Sequence, residues 1–224
     1  MNKLLIPLIL AGVFALPAHA DTVYWTDWTS TSATTSQVSG TLQVGATSVA
    51  VTYSGAYAFA QTSAGTNFWS PDAPYTSSLV DNAPPASDII GLAQGGTKTI
   101  LFSETVQDPL IALVSWNGNT VDFGVPIQIV STGQGYWGNG SAILNAAGTG
   151  FFGNGEVHGV IRLPGAHTSI TFTDTSENWH GFTIGVVGLA NQGGGSNGVP
   201  EPASLALLGI GVAGLLGLRR RTRA

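Results

Sequence analysis

TLQVGATSVAVTY, residues Thr41–Tyr53, decides the fold class. Leu42 and Val44, then Val49, Val51 and Tyr53, fall on alternate positions on either side of Gly45-Ala46-Thr47. Successive side chains of an extended backbone point to opposite faces, so each run gathers its apolar groups on one side. This is the pattern of a β-hairpin with one buried face. The same two-residue period recurs downstream. HTSITFTD alternates Ile170 and Phe172 with Ser169, Thr171 and Thr173, and GEVHGVIRL sets Val157, Ile161 and Leu163 against His158 and Arg162. TKTILFSE, DPLIALVSW, VPIQIVS and GFTIGVVGLA are further strand candidates, the last too apolar for an exposed edge. Asn117-Gly118, Asn139-Gly140 and Asn154-Gly155 mark turns, because both residue types tolerate positive φ. Between the two ends of the chain no segment shows a helical period. The expectation is an all-β, two-sheet antiparallel sandwich, jelly-roll-like, with roughly eight to eleven short strands.

Outside this region the composition changes. Lys3 precedes an apolar run from Leu4 to Leu16, which closes on Pro17-Ala18-His19-Ala20. Ala18 and Ala20 have the small-x-small spacing of a signal-peptidase site, so residues 1–20 read as a signal peptide cleaved after Ala20. From Asp21 to Gly40 half the residues are Ser or Thr. DTVYWTDW supplies a first strand, and the Ser/Thr-rich remainder reads as a solvated loop, compositionally open to O-linked sugar.

Residues 21–198 contain only two basic side chains, Lys98 and Arg162, against eleven acidic ones, a formal charge of −9. Nucleic-acid binding needs clustered Lys and Arg, so no nucleic-acid partner is expected. There is no cysteine, which removes disulfides, thiol catalysis and thiolate metal sites. The sandwich is expected to span residues 21–190, followed by a glycine-rich tether at 191–198.

The last 26 residues, 199–224, have three parts. Val199-Pro200-Glu201-Pro202 comes first, with both prolines holding the backbone extended. Ala203–Leu218 is apolar and would make a helix of about 24 Å, a short span for a hydrocarbon core of about 30 Å. Arg219, Arg220, Arg221 and Arg223 follow and would keep that end cytoplasmic. This order resembles the tail of PEP-CTERM sorting domains. The resemblance implies recognition by an exosortase, transient anchoring in the inner membrane, and a final place at the cell surface or in the extracellular matrix of an exopolysaccharide-making Gram-negative bacterium. Within the domain, DPLIALVSWNG, STGQGYWGNG and SENWHGFTIGVVGLA are similar to segments of ectodomains in that group. That similarity implies a common β-sandwich and no activity.

Three constellations bear on chemistry. His158 lies two residues from Glu156 and four from Arg162, an arrangement expected on a solvated strand face, and it nominates no catalytic residue. Asn117, Asp122, Asp174 and Glu177 are candidate oxygen ligands for a structural calcium ion, without matching any calcium-loop repeat. Trp116, Tyr136, Trp137 and Trp179 lie beside Asn or Gly at expected strand ends. Flat rings beside amides suit sugar stacking and hydroxyl hydrogen bonding. The sequence therefore reads as an exported, non-enzymatic structural or glycan-associated module, with signal peptidase, exosortase and exopolysaccharide as partners. A secreted polysaccharide-active hydrolase is the alternative.

Overall fold

The computed structural model describes residues 20–192. The signal segment with Ala18, the glycine-rich run 193–198, the 199–202 motif, the apolar stretch and the terminal arginines lie outside the described residues. Among the described residues no helix is long and apolar enough to cross a membrane.

Sixteen strands form in chain order. They are β1 (Tyr24–Trp25), β2 (Asp27–Ser32), β3 (Gln37–Val44), β4 (Thr47–Ser54), β5 (Phe59–Gln61), β6 (Ile89–Leu92), β7 (Gly96–Gln107) and β8 (Leu110–Trp116). Then follow β9 (Thr120–Asp122), β10 (Gln128–Thr132), β11 (Gly140–Leu144), β12 (Gly150–Gly155), β13 (Val157–Arg162), β14 (Ala166–Asp174), β15 (His180–Val186) and β16 (Gly188–Leu189). Several are only two or three residues long, which is why the count exceeds the sequence expectation.

All strand pairs are antiparallel and make two sheets. One runs β10-β13-β8-β15-β6-β5, with β1 also on β15. The other runs β11-β12-β9-β14-β7-β4-β3-β2, with β16 on β7. From β6 to β9 and from β12 to β15 successive strands cross between the sheets. The central orders β13-β8-β15-β6 and β12-β9-β14-β7 are those of an eight-stranded jelly roll. The β2–β4 meander widens one sheet beyond that unit.

The opening hairpin is β3–β4. Val44 pairs with Thr47, so Gly45-Ala46 alone makes the turn, with Gly45 at a φ of 59°. Leu42, Val44, Val49, Val51 and Tyr53 all point into the layer between the sheets. Ile100, Phe102, Phe172 and Ile184 meet them there.

A second apolar layer covers the outer face of the β8–β13–β15 sheet. It comprises Val23, Trp25, Trp69, Tyr75, Val80, Ile89, Ala112, Val114 and Val160, mostly from the N-terminal strand and the segment between β5 and β6. β8 and β15 are thus buried on both faces, in keeping with the unbroken apolar run at 110–114 and the largely apolar one at 182–186, where buried Thr183 accepts the Trp28 indole N–H.

Two expectations are corrected here. The Ser/Thr-rich stretch is an edge hairpin rather than a loop. Asp27–Ser32 pairs with Gln37–Thr41, because an edge strand satisfies its backbone on one side and leaves hydroxyls in water on the other. His158 is fully buried rather than on a solvated face, because the Ala73–Tyr75 turn and the outer layer cover β13.

Candidate functional site

At the end of the sandwich where β8 stops and β13 and β15 begin, five aromatic rings meet. Tyr136 and Trp137 come from the segment between β10 and β11, and Trp179 from the approach to β15. Phe59 belongs to β5, and Phe68 to the segment that follows it. Phe68 is central, with ring centroids 5.1 Å from Trp179, 5.2 Å from Tyr136 and 6.2 Å from Phe59. Tyr136 and Trp137 are 4.9 Å apart, and Trp137 and Trp179 6.4 Å. These are mostly edge-to-face contacts, the arrangement favoured by the ring quadrupoles. Trp137 remains 52% exposed and Tyr136 43%, so the cluster presents ring surface to solvent.

Two glycines allow this packing. A Cβ on Gly91 would lie 2.3 Å from the Phe59 ring, so only a bare backbone lets that ring lie across β6. A Cβ on Gly135 would lie 2.2 Å from Cγ of His158, so the segment bearing Tyr136 and Trp137 rests directly on that buried imidazole. His158 Nδ1 is 3.1 Å from the Tyr75 hydroxyl. Burial pushes its pKa down to about 4, against a small opposing effect of Glu156, so the ring is neutral at pH 7.

Beside the rings runs a chain of polar groups. Buried Lys98 pairs with Asp174 and also donates to the carbonyl of Gln94 at 2.6 Å. Asp174 Oδ2 lies 2.9 Å from Nε2 of His180. His180 Nδ1 lies 3.1 Å from Glu177 Oε1, an ion contact whose angles fall outside hydrogen-bond geometry. Burial pulls the His180 pKa down, but the Asp174 bond and the Glu177 contact outweigh it and hold the imidazole above its ordinary value.

Asn117 continues the chain to the surface. Its backbone N–H donates to Glu177 Oε2 at 2.9 Å, and its Nδ2 donates to Glu156 Oε1 at 2.7 Å. The Ser115 hydroxyl donates to Glu156 Oε2. Ser115 sits at a φ of 58° beside the register shift between β8 and β13, a local irregularity that aims its hydroxyl at Glu156. The Glu156 side chain passes under Gly138, the residue after Trp137.

Of the four ring residues singled out in the sequence, the structure brings Tyr136, Trp137 and Trp179 together. Trp116 is corrected. It is 1% exposed, packs with its ring tilted 56° to the His180 ring at a centroid distance of 4.2 Å, and donates Nε1–H to the Gly181 carbonyl at 2.9 Å. It belongs to the core because β8 is a central strand and its last residue still faces the opposite sheet. Phe59 and Phe68 went unrecognised, since neither sits in an alternating run or beside a turn marker.

The four calcium candidates do not share a site. Asp174 is committed to Lys98 and His180. Asp122 accepts the Gly124 N–H at 2.8 Å and lies beside Asn145. Only Asn117 and Glu177 touch. Among the described residues no three His, Asp or Glu side chains converge as a metal site. Glu156 and His158 do not pair either, each having its own partners.

Compared with known protein families, the chain matches the PEP-CTERM protein-sorting motif over residues 198–221. The chain carries a PEP-CTERM sorting motif. The match takes in Val199, Pro200, Glu201 and Pro202 and reaches Arg221; Arg223 lies just past it. A PEP-CTERM motif implies export, processing by an exosortase and sorting to the cell surface. No curated protein and no solved structure matches the chain. The PEP-CTERM motif begins shortly after the last described residue, Gln192. That residue follows β16, which pairs with the end of β7 at Gln107. Asp21 lies at the same end, beside Leu79, Val187 and Leu110. Both ends of the domain therefore lie opposite the aromatic rings.

Proposed function

We propose that the domain is a non-enzymatic glycan-binding module, held at the cell surface or in the matrix after sorting through its PEP-CTERM tail. The observation that carries this is the cluster of exposed Tyr136 and Trp137 with half-buried Trp179, backed by Phe68, at the end of the sandwich opposite Gln192. Ring faces stack on the apolar faces of sugar rings, while Asn139 and Asn178 beside them supply amides for hydroxyls. Before exosortase processing, the apolar run spans the inner membrane with the arginines in the cytoplasm. Exopolysaccharide is the partner that this arrangement suits.

A polysaccharide hydrolase is the alternative, favoured by one observation: Asn117 holds Glu156 and Glu177 side by side near the rings. Against it, Glu177 is nearly buried against His180, and both oxygens of Glu156 are already hydrogen bonded. A glycan array run with a reducing-end release assay on the full chain in detergent separates the two. Binding without turnover supports the module. Turnover that disappears in Glu156→Gln overturns it.

A further inference from the structure

Building on the glycan-binding function above, we propose that the bound glycan carries free amino groups, as in a polymer of deacetylated hexosamine units. The distribution of charge selects this class. Lys98 and Arg162 are the only basic side chains between residues 21 and 198. Lys98 is buried and neutralised by Asp174. Arg162 hydrogen-bonds Gln128 at the far end of β13, beside a cavity of about 410 Å³ that Asp21 and Asp108 also line. That end is roughly 20 Å from Glu156 at the rise of an extended strand. Among the described residues, the aromatic end has no solvent-facing Lys or Arg.

Its carboxylates are differently placed. Glu177 faces the His180 imidazole, so part of its charge is answered from within. Glu156 has only neutral partners, Ser115 and Asn117, and lies under the backbone next to Trp137. An uncompensated carboxylate thus adjoins exposed indole and phenol rings, whose faces are also electronegative. A protonated amine on a stacked sugar gains the ring face, the Glu156 charge and the long-range field of a domain whose net formal charge is −9. A neutral N-acetylated unit gains the stacking and the hydroxyl hydrogen bonds but neither charge contribution. A uronate or phosphate unit is repelled.

Titration of the full chain in detergent with glucosamine oligosaccharides tests this, using free-amine, N-acetylated and uronate chains of equal length. The free-amine chain is expected to bind about tenfold more tightly than the acetylated one, and to lose most of that advantage between about 50 mM and about 500 mM salt. Glu156→Gln should shrink the preference to about threefold or less while leaving acetylated binding in place. Should Glu156→Gln unfold the chain, the salt titration of the wild type decides alone. Equal or tighter binding of acetylated or uronate chains, still lost in Trp137→Ala, overturns the amine specificity and leaves the aromatic platform standing. Binding of none of the three overturns both.

Discussion

Trp116 and Trp137 have similar surroundings in the sequence, each followed by Asn or Gly and each near a strand end. Their fates differ because β8 is a central strand with both faces covered, whereas the segment before β11 lies over the end of the sheet. Side-chain pattern cannot see that difference; sheet order decides it. Trp116→Ala should cost about 3–5 kcal/mol of stability, whereas Trp137→Ala should cost no more than ~1 kcal/mol; thermal unfolding of the two variants checks this. His158 was legible as a strand residue but not as a buried one, since the residues that cover it come from the segment between β5 and β6, far away in the chain. Its titration gives a signed expectation. The folded pKa near 4 lies below the ordinary 6.5, so the unfolded chain takes up the proton first as pH falls. The contribution of the neutral ring is intact above pH 6.5 and is lost progressively as pH falls toward 4. His180 has the opposite sign, helping most below pH 6.5 and fading as pH rises through its raised folded pKa. Denaturant melts as a function of pH should therefore show a shallower acid decline in His158→Gln than in the wild type, and an equal decline would contradict the assignment.

At the scale of elements, alternation located β3, β4 and β14 because each has one apolar face in a single direction, and it located β13 although the polar-looking face of that strand is also covered. It missed β2, whose Ser and Thr side chains look like loop composition but pair at a sheet edge where hydroxyls stay hydrated. The segment between β10 and β11 has no period either, and it was legible only through its Tyr-Trp-Gly-Asn-Gly string. Its position rests on Gly135 lying against His158. Gly135→Ala forces a methyl into that ring, so the segment must shift. The expected result is about 1–3 kcal/mol of destabilisation, with a change in the indole fluorescence of Trp137 that Gly133→Ala, whose Cβ would meet nothing closer than 3.5 Å, does not produce.

As a whole, the molecule is polar in the geometric sense. Asp21 and the exit toward the sorting motif lie at one end of the central strands, and the rings lie at the other. The tail was legible from sequence because its signal is local: two prolines around a glutamate, an apolar run, then arginines. The aromatic site was legible only in part, because Phe59 and Phe68 are brought to Trp179 by strands β5, β6 and β15 pairing across the sheet. Replacing Pro200-Glu201-Pro202 by three alanines should leave a C-terminal epitope on the chain in its native host, while the wild type loses it; equal loss would show that the motif is not what the exosortase reads. The central claim is that the aromatic end is the glycan-binding face, and calorimetric titration of wild type and Trp137→Ala with a glycan that binds on the array tests it most directly. The account predicts at least about tenfold weaker binding by a variant that melts within a few degrees of wild type. Undiminished binding by that folded variant would contradict it.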